Sequence, residues 1–505
     1  MSQVRSISFG WVPLALILIP ATLLPLFSPY PLLALIPGVA AIALLVIGSR
    51  PEIGLYAIVF LIPFGNFRNI GGPIENLKIH WILALVLLIV VLFRLLADRS
   101  FLARFHSNLW PFFLGFLVVS LLSTLFSDYK ANAGAQVVLT LVAILFFALT
   151  ISLVSREGVT RHLPAVIAVS VSLSSTFAVL GNVTGVAWFS EGETFSRSTG
   201  GTGDPNALAM QIIFGLPFLV FWINHARHLI LRVLAAVMIA VNVVAMVGTF
   251  SRSGALVLAA CALVLVIINI QGIRPQKLGL LLIGGAAVIL IAGVSLPQSF
   301  WERQATLFSG DQDSSLSRRA SYLEVARDAI VQRPLLGHGP GTFRDLYALT
   351  DWAQRFHRKG STKRRYAHNT YVEVLVGTGL LGAAFYFALL GVALRNFVRT
   401  RQRLVALDDT YHKDLVSHYL VAFGFLLLYM TMFSDVYQKF MLLCLGLSQL
   451  WDRYATEAMA RTSPGTLPEV MADKVPRAIP ESLSGPEPAE PRSPVASGSV
   501  AEIAP

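Results

Sequence analysis

The chain has 505 residues, of which 55% are hydrophobic and 13% charged, with a mean hydropathy of +0.68 and a formal net charge of +11. Such a composition excludes an ordinary soluble globular protein and describes a chain whose main solvent is lipid. The two cysteines, Cys261 and Cys444, both fall inside apolar runs, which excludes a disulfide framework and a cysteine-based metal site.

Apolar runs of about 17 to 22 residues recur, the length needed to cross a hydrocarbon core of about 30 Å at 1.5 Å per residue. Helices are expected, because lipid leaves backbone groups no partner outside the segment, and the alternating pattern of barrel strands is absent. In chain order the candidate spans begin near Trp11, Pro31, Ile53, His80, Leu109, Gly134, Pro164, Asn206, Leu229, Ser253, Leu278, Asn369, His418 and Met441. That gives an all-α polytopic membrane protein of about 12–14 helices. Met1 to Gly10 lacks a strong basic region and a small-residue cleavage site follows nowhere, so the first helix is expected to stay as an anchor. The expected organisation is transmembrane helices over 1–296, a large loop over 297–368, C-terminal transmembrane helices over 369–458, and a tail over 459–505. From Thr462 that tail holds nine prolines in 44 residues, a composition expected to stay disordered.

Orientation follows from lysine and arginine in the short loops. Arg94, Arg99 and Arg104 share one loop; Arg156 and Arg161, Arg227 and Arg232, Arg274 and Lys277, and the cluster from Arg395 to Lys413 occupy later ones. These alternate with poorer loops carrying Lys130, Arg197, Arg252 or Lys439, while Arg68 and Lys78 break the contrast near the N-terminus. Both termini are therefore expected in the cytoplasm, with Arg197, Arg252 and the long loop outside. From Pro297 to Ala367 that loop carries twelve Lys and Arg against seven acids. A translocated basic segment calls for an anionic partner, and guanidinium groups bind phosphate in bidentate fashion. A solvated loop without a specific ligand is the bland alternative.

Within the loop, Ser317 to Gln332 reads as an amphipathic helix, with Leu323, Ala326 and Ile330 at helical spacing and Arg319 at the start of the same face. Pro334 ends it, and Leu335 to Phe343 forms a glycine-rich connector that suits either a bend or an anion. There is no GKS or GKT, so this is no nucleotide-binding P-loop. Arg197 precedes Gly200 to Asn206 at a helix start, and Arg252 lies in Thr249 to Gly254 between two spans joined almost without a loop. Facing lipid, such an arginine would cost roughly 2 to 3 kcal/mol at the bilayer centre, so it should face a cavity or snorkel to headgroups. His368 and Asn369 open the apolar run from Val372 to Leu390, where they either cap a helix or do chemistry.

In series, Asp204-Pro205-Asn206, Ser251-Arg252-Ser253-Gly254, Arg319, Pro334 to Gly341, and His368-Asn369 leading to Gly379-Leu380-Leu381-Gly382 resemble the O-antigen ligase and Wzy-type polysaccharide polymerase family. The resemblance covers about residues 195 to 395 and implies a GT-C-like fold with short helices in one long periplasmic loop. It implies a membrane glycosyltransferase of the bacterial inner membrane. Oligosaccharide would move from an undecaprenyl-pyrophosphate donor to a glycan or lipid A core acceptor at the periplasmic face, in lipopolysaccharide or exopolysaccharide synthesis. Membrane lipids are its other partners, and no nucleic acid, cofactor or metal is expected. Arg252 and Arg319, with Arg318 as an alternative in register, are similar to the family's pyrophosphate-binding arginines; His368 is similar to its loop histidine, which would take the acceptor's proton. Arg197, Asn206, His338 and Asn369 are weaker substrate-binding candidates, and His338 and His357 are substitutes for the base.

Direct displacement at the carrier-linked carbon would invert the sugar, and acidic clusters for a metal are missing from the external face. Ligase and polymerase share these motifs; the long basic loop favours a polymerase. The rivals are a transporter or flippase of lipid-linked saccharides, for which no internal repeat is found, and an inactive envelope scaffold.

Overall fold

Segments that cannot leave backbone groups unpaired in lipid fold as helices, and helices dominate the computed structural model, which describes residues 36–65, 79–184, 190–191, 197–269, 314–356 and 363–462. The chain divides into a unit from Met1 to Met459 and another from Ala460 to Pro505, the second described only to Thr462. The helices in order are α1 (Ile36–Ser49), α2 (Pro51–Phe60), α3 (Ile79–Ala97), α4 (Trp110–Leu125), α5 (Lys130–Leu153), α6 (Leu163–Thr184), α7 (Pro205–His225), α8 (Leu229–Gly248) and α9 (Arg252–Asn269). The loop contributes α10 (Ser314–Gln332), α11 (Phe343–Ala348) and α12 (Asp351–Arg355). Then follow α13 (Thr370–Ala406), α14 (Thr410–Tyr429) and α15 (Lys439–Thr462). Among the described residues the strand pairing is a two-residue antiparallel ladder, β1 (Ser190–Glu191) on β2 (Arg197–Ser198), with Glu191 opposite Arg197.

Seven of the described helices are long and apolar enough to cross a membrane, and up to nine if two bent pairs each count as one span. Of the spans expected near Pro31 and Ile53, the described part is a bent pair: Ala41–Ser49 and Pro51–Phe60 meet at 117°, and Pro51, which has no N–H to extend the preceding helix, marks the break. A second break, of 77°, separates the short 3-10 segment Arg99–Phe105 from α4. The spans expected near Trp11 and Leu278, and the proline-rich tail, lie outside the described residues. α14 and α15 cover the runs expected near His418 and Met441 but are too polar on average to count among the seven.

α7 is the central post. Every residue from Leu208 to Leu219 is buried, as a helix apolar on all sides must be, and α6, α8, α9 and α14 pack around it. The polar ends of the helices sort into two groups. At one end Arg156 bonds the Tyr454 hydroxyl at 2.8 Å, Arg403 pairs with Asp452 at 2.8 Å, Arg453 reaches the carbonyls of Arg104 and His106, and His225 meets Asp414 at 3.3 Å. The other end gathers residues 197–206, 249–253, 365–368 and 429–432, together with the loop helices. Among the described residues, the arginine-rich short loops share one end, and Arg197, Arg252 and the long-loop helices share the opposite one, as the alternation in the sequence leads one to expect; the loop of Arg274 and Lys277 lies outside the described residues.

α10 begins three residues earlier than expected and buries the expected face at Ala326 and Ile330 but not at Leu323. Tyr322, Ala326 and Ala329 are buried against Phe343 and Tyr347, while Leu323, expected on the inner face, is 56% exposed. The Tyr322–Tyr347 edge-to-face contact, 4.9 Å between ring centres, sets that rotation.

The glycine-rich connector proves to be a lock. Its residues form backbone bonds into a break in α13: His338 N donates to Val376 O and Gly339 N to Gly377 O, both at 2.9 Å, while Leu380 N donates to Pro334 O at 2.8 Å. The break lies at Gly379, with φ 63° and ψ −167°, where a Cβ would stand 2.3 Å from the carbonyl oxygen of Leu335. The helix groups freed by the break are thus paired by the connector. Buried Asp345 ties the loop down further, accepting from Asn132 at 2.7 Å and facing Arg364 at 3.1 Å. Gly379→Ala should lower the thermal midpoint of the detergent-solubilised protein, by more than about 1 kcal/mol of stability, as followed by tryptophan fluorescence on heating; an unchanged midpoint would remove the lock from this account.

Candidate functional site

Five separate stretches of chain close around one cavity of about 350 Å³ at the loop-bearing end. It is lined by Arg197, Asn206, Phe250 to Ser253, Arg318, Arg319, Tyr322, Arg365 and His368, with Leu256 and Met432. Five of these are arginines and, among the described residues, no lining side chain is acidic.

Arg197 and Arg252 owe their places to local backbone devices. Arg197 leaves β2 and donates through Nε to the Thr249 carbonyl at 2.9 Å. The α8–α9 corner is tight because Phe250 takes a left-handed φ of 51°, at a cost of about 1 kcal/mol for a residue with a side chain. Ser251 then caps α9, accepting from Gly254 N at 3.1 Å and donating to Asn206 Oδ1 at 2.9 Å. Arg252 is the first residue of α9, so the cavity receives a guanidinium and the positive end of a helix dipole together. Asp204, whose carboxylate accepts from Asn206 N and Ala207 N at 2.7 and 2.8 Å, starts α7 and holds Asn206 at the rim. Arg318 and Arg319 follow from the first turns of α10, with Tyr322 one turn on.

His368 is the cavity's one histidine. Its φ of 51° is also left-handed, a conformation that persists only where the surroundings hold it. Its ring lies 5.9 Å from that of Tyr322, tilted by 34°. Burial, then the charges of Arg319, Arg318 and Arg365, push its pKa below the usual histidine value, with Asp204 opposing. The imidazole is therefore neutral at neutral pH. Burial likewise raises the Tyr322 phenol, which leaves a donor hydroxyl beside that imidazole.

Of the residues expected from sequence, Arg197, Asn206, Arg252, Arg318, Arg319 and His368 come together here, and the choice between Arg318 and Arg319 dissolves because both line the cavity. His338 does not. It is buried beneath α10, where Nε2 donates to Ala329 O at 2.9 Å and its carbonyl accepts from Ser127 at 2.6 Å, making it a strut of the connector. Asn369 instead caps α13, its Oδ1 accepting from Tyr371 N at 3.0 Å and Val372 N at 3.2 Å. His357 lies outside the described residues. Sequence reasoning passed over Arg365 and Tyr322, although Arg365 stands three residues before His368 and Tyr322 one helical turn after Arg318 and Arg319. Phe250 and Met432 carry no local signal.

An arginine cluster around one neutral histidine, at the end of a bundle of apolar helices, is chemically suited to an anionic ligand. A family profile described as O-antigen ligase (Wzy_C) matches residues 235–387, which supports assignment of the chain to the O-antigen ligase family. The matched stretch contains Arg252, Arg318, Arg319 and His368 as well as the lock at Gly379, whereas Arg197 and Asn206 precede it. No curated protein matches the chain. The match supports, for this helical chain of multi-pass membrane character, a glycan-transferring role of the ligase or polymerase kind.

Because the folded state binds the His368 proton less readily than the unfolded chain, this residue's contribution to stability declines as pH falls below the ordinary histidine range. A 13C NMR titration of histidine-labelled protein, assigned through His368→Gln, should give a midpoint below the reference of about 6.5, rising in Arg319→Gln. A midpoint at or above the reference would contradict the burial and charge described for this ring.

Proposed function

We propose that the cavity holds the pyrophosphate of an undecaprenyl-pyrophosphate-linked oligosaccharide against Arg252, Arg318 and Arg319, and that His368 activates an acceptor hydroxyl. The acceptor oxygen attacks the sugar carbon joined to pyrophosphate as its proton passes to the imidazole. The new glycosidic C–O bond forms while the old one breaks, and the pyrophosphate leaves with the bonding electrons. Attack opposite the leaving group inverts that carbon.

The observation that carries this reading is the convergence of three arginines, from α9 and α10, on one neutral histidine from a third segment. A pyrophosphate leaving group asks for preorganised cations, and a hydroxyl nucleophile asks for a base that is unprotonated at working pH. The donor set holds guanidinium and imidazole, which suits direct displacement without a metal. A transporter of the same lipid would also use the arginines, but it gives the strained imidazole no task. We assign the cavity to the periplasmic face of a bacterial inner membrane, on the ground that the arginine-rich short loops gather at the other end. The acceptor, a lipid A core sugar for a ligase or a growing glycan for a polymerase, follows from the same reading.

In transfer assays with purified protein and lipid-linked glycan, His368→Ala should lose on the order of 100-fold or more in turnover. Arg319→Lys should weaken donor use, since an ammonium cannot replace the planar fork; wild-type rates in both would overturn the assignment. The orientation has a separate check. Cys261 and Cys444 are buried, whereas Leu349 is 76% exposed on the loop, so Leu349→Cys should react with a membrane-impermeant thiol reagent in intact spheroplasts. Labelling only after lysis would place the cavity on the cytoplasmic side.

A further inference from the structure

The strained backbone at His368 is bracketed by a buried carboxylate that no motif singled out. Glu373, one turn into α13 and 4% exposed, accepts from Ala367 N at 2.7 Å and from the Ser434 hydroxyl at 3.3 Å, both through Oε1. The Ser434 oxygen in turn accepts from Asn369 N at 3.1 Å. The two peptide N–H groups on either side of His368 therefore end on one oxygen, one directly and the other through a hydroxyl.

An ordinary capping box accounts for a glutamate that reaches back to the N–H of its own N-cap residue. That is not the arrangement here. The N-cap is Asn369, whose N–H goes to Ser434, and Glu373 passes over it to Ala367, two residues before the cap. Thr370 fastens the same junction from the other side, donating its N–H to Met430 O at 2.9 Å and its hydroxyl to Phe433 O at 2.7 Å. Helix capping alone is already satisfied by the Asn369 side chain. The additional bonds act on the flanks of the one residue in the triplet that lines the cavity.

We infer that Glu373 and Ser434 form a clamp that positions His368, holding its left-handed backbone so that the imidazole points at the acceptor site. This inference rests on the base role proposed above. Neither clamp residue lines the cavity, so both act through His368 and are positioning residues.

The test combines hydrogen exchange with transfer kinetics on the full-length protein in detergent or nanodiscs. Glu373→Ala and Ser434→Ala should each speed amide exchange in the segment holding Ala367 and Asn369, whatever reaction the protein performs. Glu373→Ala should lower kcat on the order of 100-fold, the scale of a misplaced reacting group, with donor KM within about threefold of wild type because the arginines sit on other elements. Glu373→Gln, whose carboxamide oxygen still accepts both bonds, should recover most of that loss. Adding Glu373→Ala to His368→Ala should slow transfer no further. If Glu373→Ala fails to fold, Ser434→Ala supplies the same readouts from the other half of the clamp. Unchanged exchange in both variants, faster exchange without loss of kcat, a glutamine variant as impaired as alanine, or a loss confined to donor KM would each overturn the clamp. Wild-type transfer by His368→Ala, by contrast, would defeat the base role itself, with the exchange data still reporting whether the clamp forms.

Discussion

The arrangement depends on one backbone interaction, the insertion of the Pro334–Gly341 connector into the broken helix α13. A helix that loses its own hydrogen bonds inside an apolar bundle must find others, and here the connector provides them at Val376, Gly377 and Leu380. That exchange of bonds fixes the end of α10 against the start of α13. Arg318 and Arg319 are thereby carried to the same cavity as His368. Without the lock, the arginines of the loop and the histidine after it would be held only by the small cluster around Tyr322 and Tyr347 and by the Asp345 contacts, and more of their geometry would be a matter of loop entropy.

Two strained residues then aim the chemistry. Phe250 and His368 both adopt a left-handed φ of 51°, one at the corner that exposes Arg252 and the N-terminus of α9, the other within the triplet before α13. In each case hydrogen-bonding neighbours hold the position: Ser251 with Asn206 and Gly254, and Glu373 with Ala367 and Ser434. Strain kept by such surroundings is a common mark of a site where orientation matters more than local stability. The charges follow the same logic. Five arginines around one cavity repel one another unless an anion joins them, and they help to keep the imidazole unprotonated while they wait for it.

Much of this was legible in the sequence, and the parts that were not have physical reasons. Hydropathy located α3 to α9 and α13, since apolar length is a strong signal. It gave no sign of the bend between Ala41–Ser49 and Pro51–Phe60, where the runs are apolar but Pro51 turns the chain by 117°. Arg252, Arg319 and His368 were visible because an ionisable group beside an apolar run is costly unless it has a use. His338 looked equivalent by that argument but is spent on the connector, because a glycine-rich turn gives no clue to which of its side chains faces inward. On α10 Ala326 and Ile330 turn inward as expected, but Leu323 does not: it has the hydropathy, while Tyr322 has the aromatic partner, and tertiary packing decided between them. Glu373 was invisible because its partners, Ala367 and Ser434, are ordinary residues brought together only by the fold.

The most direct test of the central claim is a cryo-electron microscopy structure of the protein in nanodiscs with a polyprenyl pyrophosphate bound. The account predicts the two phosphates within hydrogen-bond distance of Arg252, Arg318 and Arg319, with the first sugar position, or its vacant space, facing the His368 imidazole. Pyrophosphate density at the opposite, Arg156- and Arg403-bearing end, or in the cavity but turned away from His368, would contradict it.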